Sequence, residues 1–447
     1  GGAARRWLHH SLDALDAALE EKASRLILRT GPSLHALRDC IAATGAGAVY
    51  WTRRYEPALR ERDEKVRAAL EADGIAVETF DGYLLHDPQE VQTTSGGSYR
   101  VFTSFWRRLK AELEVPPPLS VPYLGARRAP EAWPDSVALE ALELLPEAQD
   151  GVDWAGGMRE MWVPGAAGAH DRLDHFVDEA LEEYPERRDR PDLDGTSTLS
   201  PHLHWGEVSP RQVWHATLSA LGADPIEPAP DWDAAAEGFL SELAWREFSY
   251  HVLVHHPETP DAPMRPEYDA FPARSDAEAL RRWQRGETGY PIVDAGMNQL
   301  WYRGWMHNRV RMITASFLVK HLLLPWWEGA RWFWDTLVGA DLANNTMGWQ
   351  WTAGSGADAQ PFFRIFNPLS QAKKFDPEGA YVRTWLPQLA DLPTKYVHTP
   401  WEAPEDVLEE AGVRIGETYP APIVEHKAAR ERALEAYEDV KRTKESA

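Results

Sequence analysis

Three short apolar runs lie within the first eighty residues, and a segment of helical period separates each from the next. The runs are SRLILRTG (24–31), AVYWTRR (48–54) and IAVETF (75–80). Between them, SLHALRDCIAATG has Ser33 to start a helix and Gly45 to stop it. PALRERDEKVRAALEADG carries Pro57 in its first turn. Parallel strands need long crossovers, and right-handed crossovers place helices on the sheet faces. The N-terminal part therefore reads as an α/β domain with a doubly wound parallel sheet. The chain opens on a helix, WLHHSLDALDAALEE, so the first strand of such a sheet is expected to be missing.

After residue 85 the pattern changes. Residues 86–170 read as a long irregular linker, because VPPPLSVPYLGARRAPEAWP cannot form a central helix or strand. From 171 to 447 the spacing of Trp and Leu is helical almost throughout, which predicts an all-α domain. The expected division is 1–85, 86–170 and 171–447. The longest apolar run, MITASFLVKHLLLPWW, is broken by Lys320, His321 and Pro325, so it reads as a buried helix and no membrane segment. The start GGAARRWLHH lacks the apolar core of a signal peptide. A single Cys40 excludes an internal disulfide framework and fits a reducing, cytoplasmic location.

The net charge of −23 argues against a nucleic-acid partner, but the charge is uneven. Residues 300–375 hold eight Lys/Arg against four Asp/Glu, together with eight of the 21 Trp. A locally basic, Trp-dense region suits one anionic ligand; a Trp-rich core with a solvated rim is the other reading.

GSGADA (354–359) matches a loose dinucleotide pattern but follows no predicted strand, so it reads as a loop. His202, His204 and Glu207 are poorly spaced for a metal on a helix, and none is expected. In DGTSTLSPHLHWGEVSPRQ, four hydroxyls precede a helix start at Pro201, which fits a phosphate cradle or plain capping. ELAWREF puts Glu242, Trp245 and Arg246 at i, i+3 and i+4. That face can bind and stack on a base, or form a surface ion pair over a core Trp. In GWMHNRVRM, a buried Arg309 or Arg311 would demand a carboxylate or an anionic cofactor. In NNTMGWQW, Trp349 and Trp351 are about 200° apart around a helix, so they must serve two different surroundings.

Together these segments resemble the DNA photolyase/cryptochrome family, nearest to bacterial cyclobutane pyrimidine dimer photolyases. The stretches that carry it are DGTSTLSPHLHWGEVSPRQ, ELAWREF, GETGYPIVDAGMNQLWYRGWMHNRVRMITASFLVK, DLANNTMGWQW and GADAQPFFRIFNP, in the family's order. GGAARRWLHHSLDALDAAL also looks like the family's antenna domain. The resemblance implies an α/β antenna domain and a helical domain that holds FAD. It implies light-driven electron transfer from reduced flavin to a pyrimidine dimer flipped out of UV-damaged DNA. By the same resemblance Tyr184, Thr196, Ser197, Thr198, Leu199 and Ser200 hold the flavin, the loop at its phosphates. Arg311, Asp341 and Asn345 surround its ring, with Gly339 in the same motif. Asn308 lies between cofactor and lesion, Met312 touches the lesion, Glu242 hydrogen-bonds it, and Trp245 and Trp351 flank it. Arg188, Arg246, Arg309 and Arg364 meet the DNA backbone. Trp349 and then Trp326 carry electrons to the flavin. A monomer is expected.

Three departures accompany the resemblance. Ala273 stands in FPAR where the family has a surface tryptophan, which cuts the electron route unless Trp283, Trp327 or Tyr268 provides a detour. Gly339 replaces a usual Asp and leaves Arg311 short of a partner. The opening strand is missing, and RRYEPALRERD lacks the Asn-Glu pair of some folate-binding members. An antenna chromophore, whether folate, second flavin or deazaflavin, is therefore left open. The rival readings are a cryptochrome-like photoreceptor without repair, a six-four photolyase, disfavoured by Asn308 and Met312, and a degenerate member that binds flavin poorly.

Overall fold

The computed structural model describes residues 1–120, 130, 132–145, 153–226, 232–359 and 361–446. The chain forms two compact units, each assembled from segments that are distant in sequence. The first gathers Gly1–Val152, Trp162–Glu182 and Ser197–Pro257; the second gathers Asp153–Met161, Glu183–Thr196 and Glu258–Ala447.

In the first unit, strands β1 (Ala48–Thr52) and β2 (Ala76–Phe80) pair in parallel, with Ala48 opposite Ala76 and Thr52 opposite Phe80. The helix Pro57–Ala72 crosses between them, and the helices Gly2–Glu20 and Ser33–Thr44 match the expected periodic segments. Ser33 is the first helical residue, and Pro32 holds the cap position without a side-chain bond. The expected strand at 24–31 is not paired. Leu26 N–H goes to Asp16 Oδ1 at 2.8 Å, and Leu28 N–H to Ser136 Oγ at 2.9 Å. The Leu28 carbonyl accepts from Val137 N at 3.0 Å. Main-chain groups bonded this way are not available to a ladder.

Residues 86–170 are not irregular throughout. The helix Phe102–Glu112 buries Phe102, Phe105, Trp106 and Leu109, an i, i+3, i+4, i+7 face. The helix Ala166–Glu179 runs across the expected boundary at 170. Much of VPPPLSVPYLGARRAPEAWP lies outside the described residues. The helix Ala234–His255 is buried on nearly every side, including Arg246, Glu247 and His251.

The described part of the second unit is helical, apart from one bridge between Ile415 and Tyr419. Its core is one continuous cluster that includes Trp283, Phe317, Phe333, Trp349 and Phe362. MITASFLVKHLLLPWW is not a single helix. The helix Asn308–Ser316 passes into a π-helical turn, Phe317–His321, and Leu323 takes a left-handed φ of 53° ahead of the helix Trp326–Thr336. Lys320 is buried there and donates to the Arg364 carbonyl at 3.1 Å; burial pushes its pKa down to about 7. Among the described residues, no helix is long and apolar enough to cross a membrane.

Two glycines in this unit differ in kind. A Cβ on Gly329 would stand 2.0 Å from Trp349 Cη2, so packing requires the bare backbone. A Cβ on Gly348, in the middle of the helix Leu342–Ala353, would meet open space. Glycine at such a place costs a helix about 1 kcal/mol relative to alanine.

Candidate functional site

In the second unit the helices Asn308–Ser316 and Leu342–Ala353 pack on one another. His307 caps the first of them, its Nδ1 accepting from Arg309 N at 3.2 Å. Asn308 is exposed and Met312 half-buried. Arg309 makes a two-pronged pair with Asp189, at 3.2 and 2.6 Å, and lies over the Phe375 ring at 4.4 Å. Its charge is therefore already engaged. Arg311 differs: Nε donates to the Met306 carbonyl at 2.7 Å, and no carboxylate among the described residues pairs with it. Burial alone pushes its pKa down to about 10, yet its side chain keeps accessible surface. A desolvated cation with one carbonyl partner calls for a further anion or acceptor beside it.

Asp341 caps the second helix through Asn344 N at 2.9 Å and also accepts from Asn344 Nδ2 at 2.8 Å. Asn345 Nδ2 donates to the Ala330 carbonyl at 3.0 Å, and its Oδ1 is an acceptor. Gly339 is half-buried. Trp349 is 2% exposed, with its ring edge-on to Phe333 at 5.0 Å and to Trp283 at 6.1 Å. Trp351 is half-buried on another side of the helix. The residue between them was not anticipated. Gln350 Nε2 donates to the Thr259 and Ala262 carbonyls while Oε1 accepts from Met264 N, so one amide fixes the 259–264 loop. Trp326 is buried and its ring lies 6.0 Å from that of Trp327, which is 41% exposed. Tyr184 is buried, with Arg188 over its ring at 5.2 Å, and Thr196 is half-buried. Arg364 is exposed beside the exposed Phe363.

The first unit carries the other expected residues. Ser197 and Thr198 are half-buried, Leu199 is buried and Ser200 is exposed at the start of a short helix. Thr198 holds a left-handed φ of 51°, and its Oγ1 accepts from Arg172 NH1 at 2.6 Å. Arg172, which lies over the Trp162 ring at 4.4 Å, gave no local sequence signal because its contact to this loop spans 26 residues. His202 Nδ1 meets Glu207 Oε2 at 2.5 Å, and Trp7 Nε1 donates to Glu207 Oε1 at 2.9 Å. Glu242 is half-buried. Trp245 stacks on Phe102 at 3.8 Å with planes 10° apart, so one of its faces is already covered. Arg246 is buried, donates to the Tyr83 carbonyl at 2.7 Å and lies over the Tyr83 ring at 4.4 Å. It serves the interior of this unit, and the expected contact with a DNA backbone is not carried further. The periodicity of ELAWREF could not show this, because Tyr83 lies 163 residues away.

Next to Arg246, Glu247 is buried and accepts from Leu85 N and His86 N at 3.0 and 3.4 Å. Burial pushes its pKa up to about 7 from 4.5, partly offset by Arg246 and the two amides. The folded state thus holds a proton that the unfolded chain releases, and stability falls as pH rises from about 4.5 to 7. The loss amounts to about 3 kcal/mol. His251 acts in the opposite sense. Burial pushes its pKa down to about 4, so stability falls as pH drops below 6.5. Glu247→Gln keeps the acceptor and removes the ionisation. Between pH 4.5 and 7 the variant should gain about 3 kcal/mol of stability relative to the parent, as parallel melting series will show; a difference that stays constant across that range would exclude Glu247 as a titrating group.

Residues 1–123 match the family described as DNA photolyase, and residues 239–439 match the FAD binding domain of DNA photolyase. The chain belongs to the DNA photolyase family. Among its curated relatives is the deoxyribodipyrimidine photo-lyase of Agrobacterium fabrum, 50% identical over 99% of this chain and 90% of that protein. The crystal structure of a bacterial class III photolyase from Agrobacterium tumefaciens superposes with a TM-score of 0.94 at 50% identity, over 99% of this chain and 89% of that one. Cryptochrome-1 of Arabidopsis thaliana is 37% identical over 98% of this chain and 63% of that protein. The protein has FAD as its cofactor, and the residues present fit it: among the described residues no carboxylate pairs with Arg311, and Asn345 spends its Nδ2 on the Ala330 carbonyl and keeps an amide oxygen that can accept.

Proposed function

We propose that the protein is a deoxyribodipyrimidine photo-lyase that repairs cyclobutane pyrimidine dimers in DNA under light. The observation that supports this most is Arg311, desolvated and with no carboxylate partner among the described residues, on a helix packed against the one that carries Asn345. When bound, reduced FAD would supply light-driven one-electron chemistry for opening the cyclobutane ring. Arg311 would hold negative charge on the cofactor, and Asn345 Oδ1 would accept a hydrogen bond from it. Tyr184 and the Thr196–Ser200 loop hold its remainder, with Asp341 and Gly339 at its ring. Glu242 hydrogen-bonds the flipped-out dimer, the free face of Trp245 and the ring of Trp351 flank it, and Asn308 and Met312 line its approach. Arg188, Arg309 and Arg364 meet phosphates, Arg309 after leaving or sharing Asp189. Trp349 and Trp326 feed electrons to the flavin, and Trp327 takes the place of the tryptophan missing at Ala273, because it adjoins Trp326 and reaches solvent. The N-terminal α/β part acts as antenna domain and the C-terminal helical part as FAD domain, in a cytoplasmic monomer.

Under blue light, protein with reduced flavin should restore thymine absorbance to a dimer-containing oligonucleotide. Absence of restoration, with flavin shown to be bound and reduced, would leave the cryptochrome-like reading, for which the 37% identity to a cryptochrome speaks.

A further inference from the structure

Gly348 is a glycine that the polypeptide itself does not need. It lies within the helix Leu342–Ala353, it is exposed, and its φ is not left-handed. An added Cβ would touch no atom within 4 Å. Neither turn geometry nor internal packing accounts for it, although alanine would strengthen the helix. The other mid-helix glycine near the site, Gly329, is fixed by the Trp349 ring, so the contrast is internal to one unit.

The position of Gly348 tells what stands over it. At 100° per residue, Asn345 lies about 60° to one side of Gly348 and Trp351 about 60° to the other. Gly348 is therefore the centre line between the residue proposed to face the flavin and the one proposed to face the lesion. Asn344, an earlier polar residue of the same helix, lies about 40° from the same line. Arg311, which pairs with no carboxylate among the described residues, comes from the helix packed alongside.

We infer that Gly348 is a ligand-contact position, at which a planar heteroaromatic ring lies directly against main chain. This rests on the proposed photolyase reading. The ring comes from one of two sources, the flavin or a pyrimidine of the dimer, and both have the flat face that bare backbone accepts. A methyl group at Gly348 would hold such a ring away from the helix by the radius of a carbon.

The test is Gly348→Ala, measured three ways. The apoprotein should melt about 2 °C higher, because the helix gains a better former and no contact is lost. FAD affinity, titrated into apoprotein by flavin fluorescence, should fall about tenfold if the flavin lies there. If the pyrimidine lies there, FAD affinity should be unchanged, and affinity of the FAD-loaded protein for a dimer-containing oligonucleotide should fall about tenfold while undamaged DNA binds as before. A more stable variant that binds FAD and dimer like the parent would overturn the inference. A destabilised apoprotein would also overturn it, since the open space over Gly348 would then belong to the polypeptide. Gly348→Ser is a second variant of similar size, expected to show the same binding losses. Failure of the parent protein to repair dimers would count against the photolyase reading alone, because FAD affinity is read without any repair.

Discussion

Arg311→Leu should weaken FAD binding by about two to three orders of magnitude and leave an apoprotein that melts higher than the parent. The two effects have one cause. Arg311 is held below its ordinary pKa by burial, and a single backbone carbonyl is its recorded partner. Without cofactor it is a desolvated charge short of compensation. With cofactor it gains the partner it lacks. Removal of one side of a buried charged pair costs about 3–5 kcal/mol, which converts to the stated loss of affinity. Leucine removes the desolvated charge from the apoprotein, so melting should shift upward. Arg311→Lys keeps a charge but loses the planar fork, and should fall between parent and leucine variant. FAD titration and apoprotein melting check both signs. Parent-like FAD affinity in the leucine variant would exclude Arg311 from the cofactor site.

The second large effect concerns Gly329. Its added Cβ would stand 2.0, 2.4 and 2.6 Å from three ring atoms of Trp349. Both neighbours are poorly placed to yield: the backbone is helical and the ring is 2% exposed between Phe333 and Trp283. Overpacking of a core costs about 1–3 kcal/mol, and a clash with a rigid ring belongs at the top of that range. Gly329→Ala should therefore lower the apparent melting temperature by about 6 °C or more. It should also slow photoreduction of oxidised flavin more than repair by reduced protein, because the displaced ring is the proposed donor. A second change, Trp349→Leu, should relieve the clash, so that the double variant loses less than the sum of the two single losses, but it should not restore photoreduction. If photoreduction returned with melting, Trp349 would not be the donor.

The legibility of this chain followed the range of the contacts involved. Local signals were reliable: β1, β2 and the crossover helix Pro57–Ala72 lie where period and Gly/Pro punctuation put them. The partition of Trp349 from Trp351 follows from helix geometry alone. Errors arose where distant chain decided. The run at 24–31 has strand composition, but Asp16, Ser136 and Val137 bind its main chain. The helix Phe102–Glu112 lay hidden beside a proline-rich stretch, although its apolar spacing was present. Arg246 looked like a surface cation because nothing near it in sequence tells of Tyr83. Gln350 was in plain view between the two tryptophans, yet its four partners come from 259–264 and Ser355.

The segment from Tyr83 to Tyr99 has no strand and no helix, and three residues of the helix Ala234–His255 give it shape. Arg246 binds the Tyr83 carbonyl, Glu247 the Leu85 and His86 amides, and His251 the Pro88 carbonyl and the Tyr99 amide. These bonds span 152 to 163 residues. On the ribosome the segment emerges long before its template. At about 5–20 residues per second it waits roughly 10–30 s for that helix. Until that helix arrives, the segment lacks all five of these bonds, and its main-chain groups are left to water.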